Sequence, residues 1–282
     1  MATVTLSAGV RSNLLALQQT SDLQALTQGR LATGKKVNSA LDNPNSFFTA
    51  SGLESRAGDL SNLLDDMGQA VQTLKAADEG IKAITKLVEA AKAKANQALQ
   101  SNTAVDRQTY LTEYNSLLSQ IEGVAKDSGY KGKNLLSSSP QNDLQVTFNE
   151  DATNSITITA VDYTDSTLAG GLNLSDAVDN TWTADSAGDT TINAVVTSLN
   201  STLNTLRKQA STFGTNLTTV QVRQDYTKAM INTLQVGADR LTLADSNEEG
   251  ARLLALNTRQ QLSSSALSFA SQADQNVLRL LQ

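Results

Sequence analysis

The run Gly29-Arg-Leu-Ala-Thr-Gly34-Lys35 sets two glycines and a lysine at the spacing of a phosphate-binding loop. In such loops the glycines expose backbone N–H groups and the lysine reaches the terminal phosphates. Position 36 is Lys, however, where a metal-binding hydroxyl is needed, and no strand reads before Gly29, so the run is better explained as a helix end. Asp162, Asp165, Asp176, Asp179, Asp185 and Asp189 suggest a calcium site, but their spacing fits no EF-hand loop and glycine is missing from its required place. They read as a solvated acidic loop. With no His and no Cys, the chain lacks the commonest general base, the commonest metal ligand and the thiol nucleophile. No convergent catalytic set is left, so neither an enzyme nor a cofactor or metal site is expected.

Aliphatic residues dominate an apolar share of 39 %, and aromatics make up only 4 % of the 282 residues. Small aliphatic side chains suit thin helix seams better than a thick globular centre. Only Pro44 and Pro140 interrupt the chain, so long helices are permitted elsewhere. The net charge is -6 and the basic residues are scattered along the helical segments, which speaks against nucleic acid as a partner. No window of about 18 apolar residues offers a membrane span, and Met1 to Leu17 lacks the apolar core of a secretory signal. Export, if it occurs, is expected without a cleaved signal peptide.

Those helices are written as heptads. Leu53, Leu60, Met67, Leu74, Ile81, Val88 and Ala95 form one column, and Leu63, Ala70, Ala77, Ile84, Ala91 and Ala98 the column three residues later. Pro44 fits the first turn of this helix, with Asn43 or Asp42 as cap, and residues 44 to 100 predict a rod on the order of 85 Å. A second helix over about 105–126 carries Tyr110, Tyr114, Leu117, Ile121 and Val124 on one stripe. Alternation in Leu144–Phe148 and Ile156–Ala160 predicts a β-hairpin over about 144–160, and the aperiodic stretch of about 162–190, with Trp182, predicts a surface loop. The heptad then returns from Ile192 to Leu241, lapsing only at Gln224 and Thr227.

Both ends carry weaker stripes: Leu6, Val10, Leu14 and Leu17 at the start, and Leu253, Leu256, Leu267, Ala270, Val277 and Leu281 at the finish. Lone helices of this quality are marginal in water, so the ends are expected to be mobile in a monomer and ordered by assembly.

At this point two signatures become visible. The run from Leu31 through Gly34, Asn38, Ser39 and Ala40 to Asp42 resembles the bacterial flagellin N-terminal pattern L-S-S-G-x-R-I-N-S-A-x-D, and Ala273-Asp-Gln-Asn-Val-Leu-Arg-Leu-Leu-Gln282 is similar to that family's A-N-Q-x-P-Q-N-V-L-x-L-L ending. With heptads between them, the resemblance covers nearly the whole chain. It implies a mainly α fold: long coiled-coil helical hairpin rods, a small β-hairpin element, and paired N- and C-terminal helices. Residues 1–42 plus 245–282 would form an inner-tube coiled-coil domain and residues 43–244 a helical rod domain. With about thirty residues between Ala160 and the returning helix, the large outer domains of many relatives are expected to be absent.

The implied function is a structural subunit that self-assembles into the helical tube of the flagellar filament, extracellular and serving motility. Alternatives are a hook–filament junction protein or a secreted coiled-coil adhesin. The expected assembly seam is Leu6, Val10, Leu14, Leu17, Leu253, Leu256, Leu267, Val277 and Leu281. By resemblance the partners are further copies of the chain, an export chaperone, the filament cap and hook-junction proteins. Asp42-Asn-Pro-Asn-Ser-Phe-Phe48 replaces the family's usual D-D-A-A-G and resembles an alphaproteobacterial-type variant. Val88-Glu-Ala-Ala-Lys-Ala-Lys94 lacks the R-x-R-E-L face that animal receptors read, so weak or no recognition by Toll-like receptor 5 is expected. Asn173, Asn200 and Asn216 lie in Asn-x-Ser/Thr sequons, which a bacterial protein rarely uses; modification of exposed Ser or Thr in the outer loop is the better expectation.

Overall fold

The computed structural model describes residues 8–137 and 142–280. Its elements run α1 (Ala8–Thr33), α2 (Pro44–Gln100), α3 (Ala104–Asp127), β1 (Leu144–Thr147), β2 (Ser155–Ile158), α4 (Ser186–Thr242) and α5 (Ser246–Leu280). The chain forms two compact units, one from the terminal segments through Ser55 and from Thr233, the other spanning Arg56–Asn232.

In the central unit the heptad columns are the core. Met67, Ala77, Ile84, Val88, Ala91, Ala95 and Ala98 of α2 are fully buried, as are Ile192, Leu199, Leu206 and Val220 of α4. Several heptads pair a large with a small side chain, as Met67 with Ala70, Leu74 with Ala77 and Val88 with Ala91, which keeps the seam thin. Both lapses in α4 prove informative. Gln224 reaches toward Gly68, where an added Cβ would sit 3.8 Å from its amide nitrogen, and Thr227 is buried despite its hydroxyl.

α3 is capped by Thr103, whose side chain accepts from the Asp106 N–H. Its buried face is Arg107, Leu111, Tyr114, Leu118, Ile121 and Ala125, which keeps Tyr114 and Ile121 of the expected stripe; Tyr110, Leu117 and Val124 are half-buried beside it. Arg107 anchors this face. Its guanidinium donates to the Ser101 and Thr183 carbonyls and lies 2.8 Å from the Asp189 carboxylate, tying both neighbouring segments to this face.

The hairpin pairs antiparallel in the register Leu144↔Ile158 to Thr147↔Ser155. Arg56 of α2 forms an ion pair with Glu150 at its turn, and the Arg223 guanidinium of α4 lies 5.2 Å from the centre of the Phe148 ring. The stretch expected as surface loop ends at Asp185, since α4 begins at Ser186, and it does more than cover the surface. Tyr163, Leu172, Leu174 and Trp182 are inserted into the core, with Trp182 packed 5.4 Å from Tyr114. Asn115 fastens this strap by accepting from the Ala177 N–H and donating to its carbonyl, both at 2.9 Å.

Candidate assembly surface

In the terminal unit α1 packs against α5. The end of α1 is made by Gly34, whose φ of +70° is the left-handed conformation that glycine adopts without strain. Lys36 N–H then donates to the Thr242 carbonyl at 2.7 Å and Ala244 N–H to the Gly34 carbonyl at 2.9 Å, clipping the two chain reversals together. Asp245 caps α5 by accepting from the Asn247 N–H at 2.9 Å, and Glu248 and Glu249 follow in the first turn, where the helix dipole favours acids. Gly29 lies inside α1 and Lys35 in a bridge to Leu243, so the glycine–lysine run is a helix end and no phosphate cradle.

Two polar pairs fix the register. Gln24 donates to Asn257 at 2.8 Å, and Arg30 binds Glu249 at 3.0 Å. Six residues along α1 thus match eight along α5 in the opposite direction, an antiparallel pairing. Continuing it sets Leu14 near the level of Leu267 and Val10 near that of Ser271.

Of the expected seam, Val10 and Leu256 are buried, Leu17, Leu253 and Leu267 are half-buried, and Leu14 is 39 % exposed. Leu6, Leu281 and the Val277 side chain lie outside the described residues. The structure adds polar members that no apolar stripe announces: Thr20, Thr27 and Glu249 are all buried. Thr20 satisfies its hydroxyl on the Ala16 carbonyl at 2.8 Å. The Arg30–Glu249 pair retains a buried Nε and a buried Oε2 with no hydrogen-bond partner.

Much apolar surface of this unit remains in water. On α5, Leu254, Leu262 and Phe269 are 66–70 % exposed, and their spacings of eight and seven put them on one face. That face is turned roughly 180° from Glu249, Leu256 and Asn257, which meet α1. On α1, Leu15, Leu23 and Leu26 are also exposed. α5 thus carries two apolar faces, of which α1 covers one.

The acidic loop residues are occupied locally. Asp162 accepts from Thr164, Asp165 from Thr167, Asp185 from Thr183 and Gly188, and Asp179 from Gln108. These bonds hold the Asp165 and Asp185 carboxyls below the usual range. Among the described residues no group of three or more His, Cys, Asp or Glu could hold a metal ion, and no helix is long and apolar enough to cross a membrane.

Residues 5–141 match the bacterial flagellin N-terminal helical region, and residues 196–281 match the bacterial flagellin C-terminal helical region. The chain belongs to the bacterial flagellin family. Full-length relatives agree: flagellin of Brucella melitensis is 27 % identical over all of both chains, flagellin FljM of Caulobacter vibrioides is 30 % identical over 95 % of this chain and 96 % of its own, and flagellin C of Rhizobium meliloti is 25 % identical over 91 % and 92 %. Among solved structures, Bacillus cereus flagellin gives a TM-score of 0.48 at 18 % identity, covering 58 % of this chain and 88 % of that one. Flagellins are structural proteins, and this family member is a subunit of the flagellar filament. Its relatives over the full length are flagellins, which favours that reading over a hook–filament junction protein or an adhesin.

Proposed function

We propose that residues 1–42 and 245–282 form the inner tube of the filament and residues 43–244 the surrounding layer, with the terminal helices supplying the contacts that drive polymerisation. The observation that carries this is the second apolar face of α5, Leu254, Leu262 and Phe269, which the subunit's own fold leaves in water. Covering three such side chains is worth about 1.5–3 kcal/mol each at full burial, and subunit contacts repeated head to tail without closing multiply that gain along a helical polymer. The seam within the subunit is Leu6, Val10, Leu14, Leu17, Leu253, Leu256, Leu267, Val277 and Leu281, held in register by Gln24–Asn257 and Arg30–Glu249.

The chain acts by assembly and performs no catalysis. Outside the cell it meets chiefly its own copies; an export chaperone, the filament cap and hook-junction proteins are its transient partners. Toll-like receptor 5 detects it poorly, since Val88-Glu-Ala-Ala-Lys-Ala-Lys94 lacks the R-x-R-E-L face that such receptors read. A receptor reporter assay with pure monomer checks this, and a potent response would contradict it.

Hydrogen exchange on soluble chain and on filaments tests the assembly reading. Amides of α1 and α5 should exchange fast in the soluble chain and at least a hundredfold slower in the polymer, because a marginal helix pair gains its stability from neighbours. Equal protection in the two states would refute the role given to the ends.

A further inference from the structure

Between α1 and α2 the chain builds a tight turn and uses it to hold a leucine in water. The Asp42 carboxylate accepts from the Asn38 and Ser39 N–H groups, both at 2.9 Å, and from the Ser39 hydroxyl at 3.2 Å. Asp42 N–H in turn donates to the Ser39 carbonyl at 3.2 Å. Asn43 then caps α2 by accepting from the Ser46 N–H at 3.1 Å. Upstream, Val37 is buried and its N–H donates to the Thr242 carbonyl. A segment bonded at so many points has a defined conformation, yet Leu41 at its apex is 96 % exposed. Seven residues on, Phe48 is 66 % exposed, with its ring set edge-on against Phe47 at 5.6 Å.

An exposed leucine on a loose loop needs no explanation, but one fixed in water by a constructed turn does. We propose that Leu41 and Phe48 form a clasp that seats against a second copy of this chain, a subunit contact separate from the terminal helix seam. The inference rests on the filament reading, because a filament subunit is surrounded by copies of itself. Contacts in a helical polymer are heterologous, so the clasp needs a different patch of the neighbour and not its own image. Charge favours the same occupant. The clasp adjoins a groove of about 320 Å³ lined by Leu26, Arg30, Lys35, Lys36 and Asp42, among others; with Arg30 paired to Glu249, Lys35 and Lys36 still outnumber Asp42, and a chain of net charge -6 suits this basic excess.

The chain has no cysteine, so single substitutions report cleanly. Leu41→Cys and Phe48→Cys, each at an exposed position, are labelled with a maleimide in the soluble chain and in seeded filaments. The expected result is labelling at least tenfold slower in filaments at both positions; equal rates in the two states would overturn the clasp while leaving the terminal seam standing. In parallel, Leu41→Ser should slow seeded elongation severalfold with an unchanged thermal melt of the soluble chain, and elongation at the wild-type rate would also overturn it. A wild-type chain that adds to no seed would overturn the assembly reading itself, and the clasp with it.

Discussion

Arg107 carries its charge into a site where it is 4 % exposed, while its ionic partner Asp189 stays 48 % exposed by side chain. The two ends of this contact are therefore unequal. Removing the arginine strips donors from the carbonyls of Ser101 and Thr183, so Arg107→Ala should cost about 1–3 kcal/mol. Asp189→Asn leaves those bonds in place and should cost under about 1 kcal/mol. Chemical denaturation of both variants checks the asymmetry. Burial also acts on the tyrosines: it pushes the Tyr163 phenol up to about 12, and burial together with Asp176 raises Tyr114 as well. A folded-state value above the unfolded one, about 10, means that the stabilisation is complete below pH about 10 and is lost as pH rises toward 12. Absorbance titration should accordingly show late tyrosine ionisation that coincides with alkaline unfolding; early ionisation of all five tyrosines in the folded chain would contradict the burial.

Among the elements, α2 and α4 work through thin seams in which small residues matter as much as large ones. Gly80 shows this most sharply. A Cβ there would sit 2.7 Å from the Leu136 side chain and nearer still to Ser128, so Gly80→Ala should destabilise by about 1–3 kcal/mol by overpacking, despite the better helix propensity of alanine. Thermal melts of the variant give the sign directly. The register of α1 on α5 has its own test: Leu14→Cys with Leu267→Cys should oxidise to a disulfide within one chain, whereas Leu14→Cys with Leu254→Cys should not, because Leu254 faces away from α1. Heptads were legible from sequence because each places a large aliphatic residue every seven positions, and Met67, Leu74, Ile81 and Val88 are buried accordingly. What sequence pattern missed is equally physical. Tyr163, Leu172 and Trp182 lie on a strap without period, Thr20, Thr27 and Glu249 are polar residues in a buried seam, and Arg107 is buried on α3 through bonds that no stripe records.

For the molecule as a whole, the two units divide the labour. The central unit closes its core within one chain: Trp182, Tyr114, Phe213 and most of the heptad columns are out of water, with Leu63, Val196, Ala210 and Leu217 half-buried at its edge. The terminal unit sets its apolar residues on two faces and covers only one of them, since Leu254, Leu262 and Phe269 remain exposed. The terminal signatures pointed to the family from sequence, but only the structure separates the face that pairs α5 with α1 from the exposed face that carries Leu254, Leu262 and Phe269. The most direct test is electron microscopy of the purified chain incubated with short filament seeds, comparing the full-length chain with one lacking residues 253–282. The account predicts long tubes from the full-length chain and none from the truncated one; growth of both alike would contradict the claim that the terminal helices drive assembly.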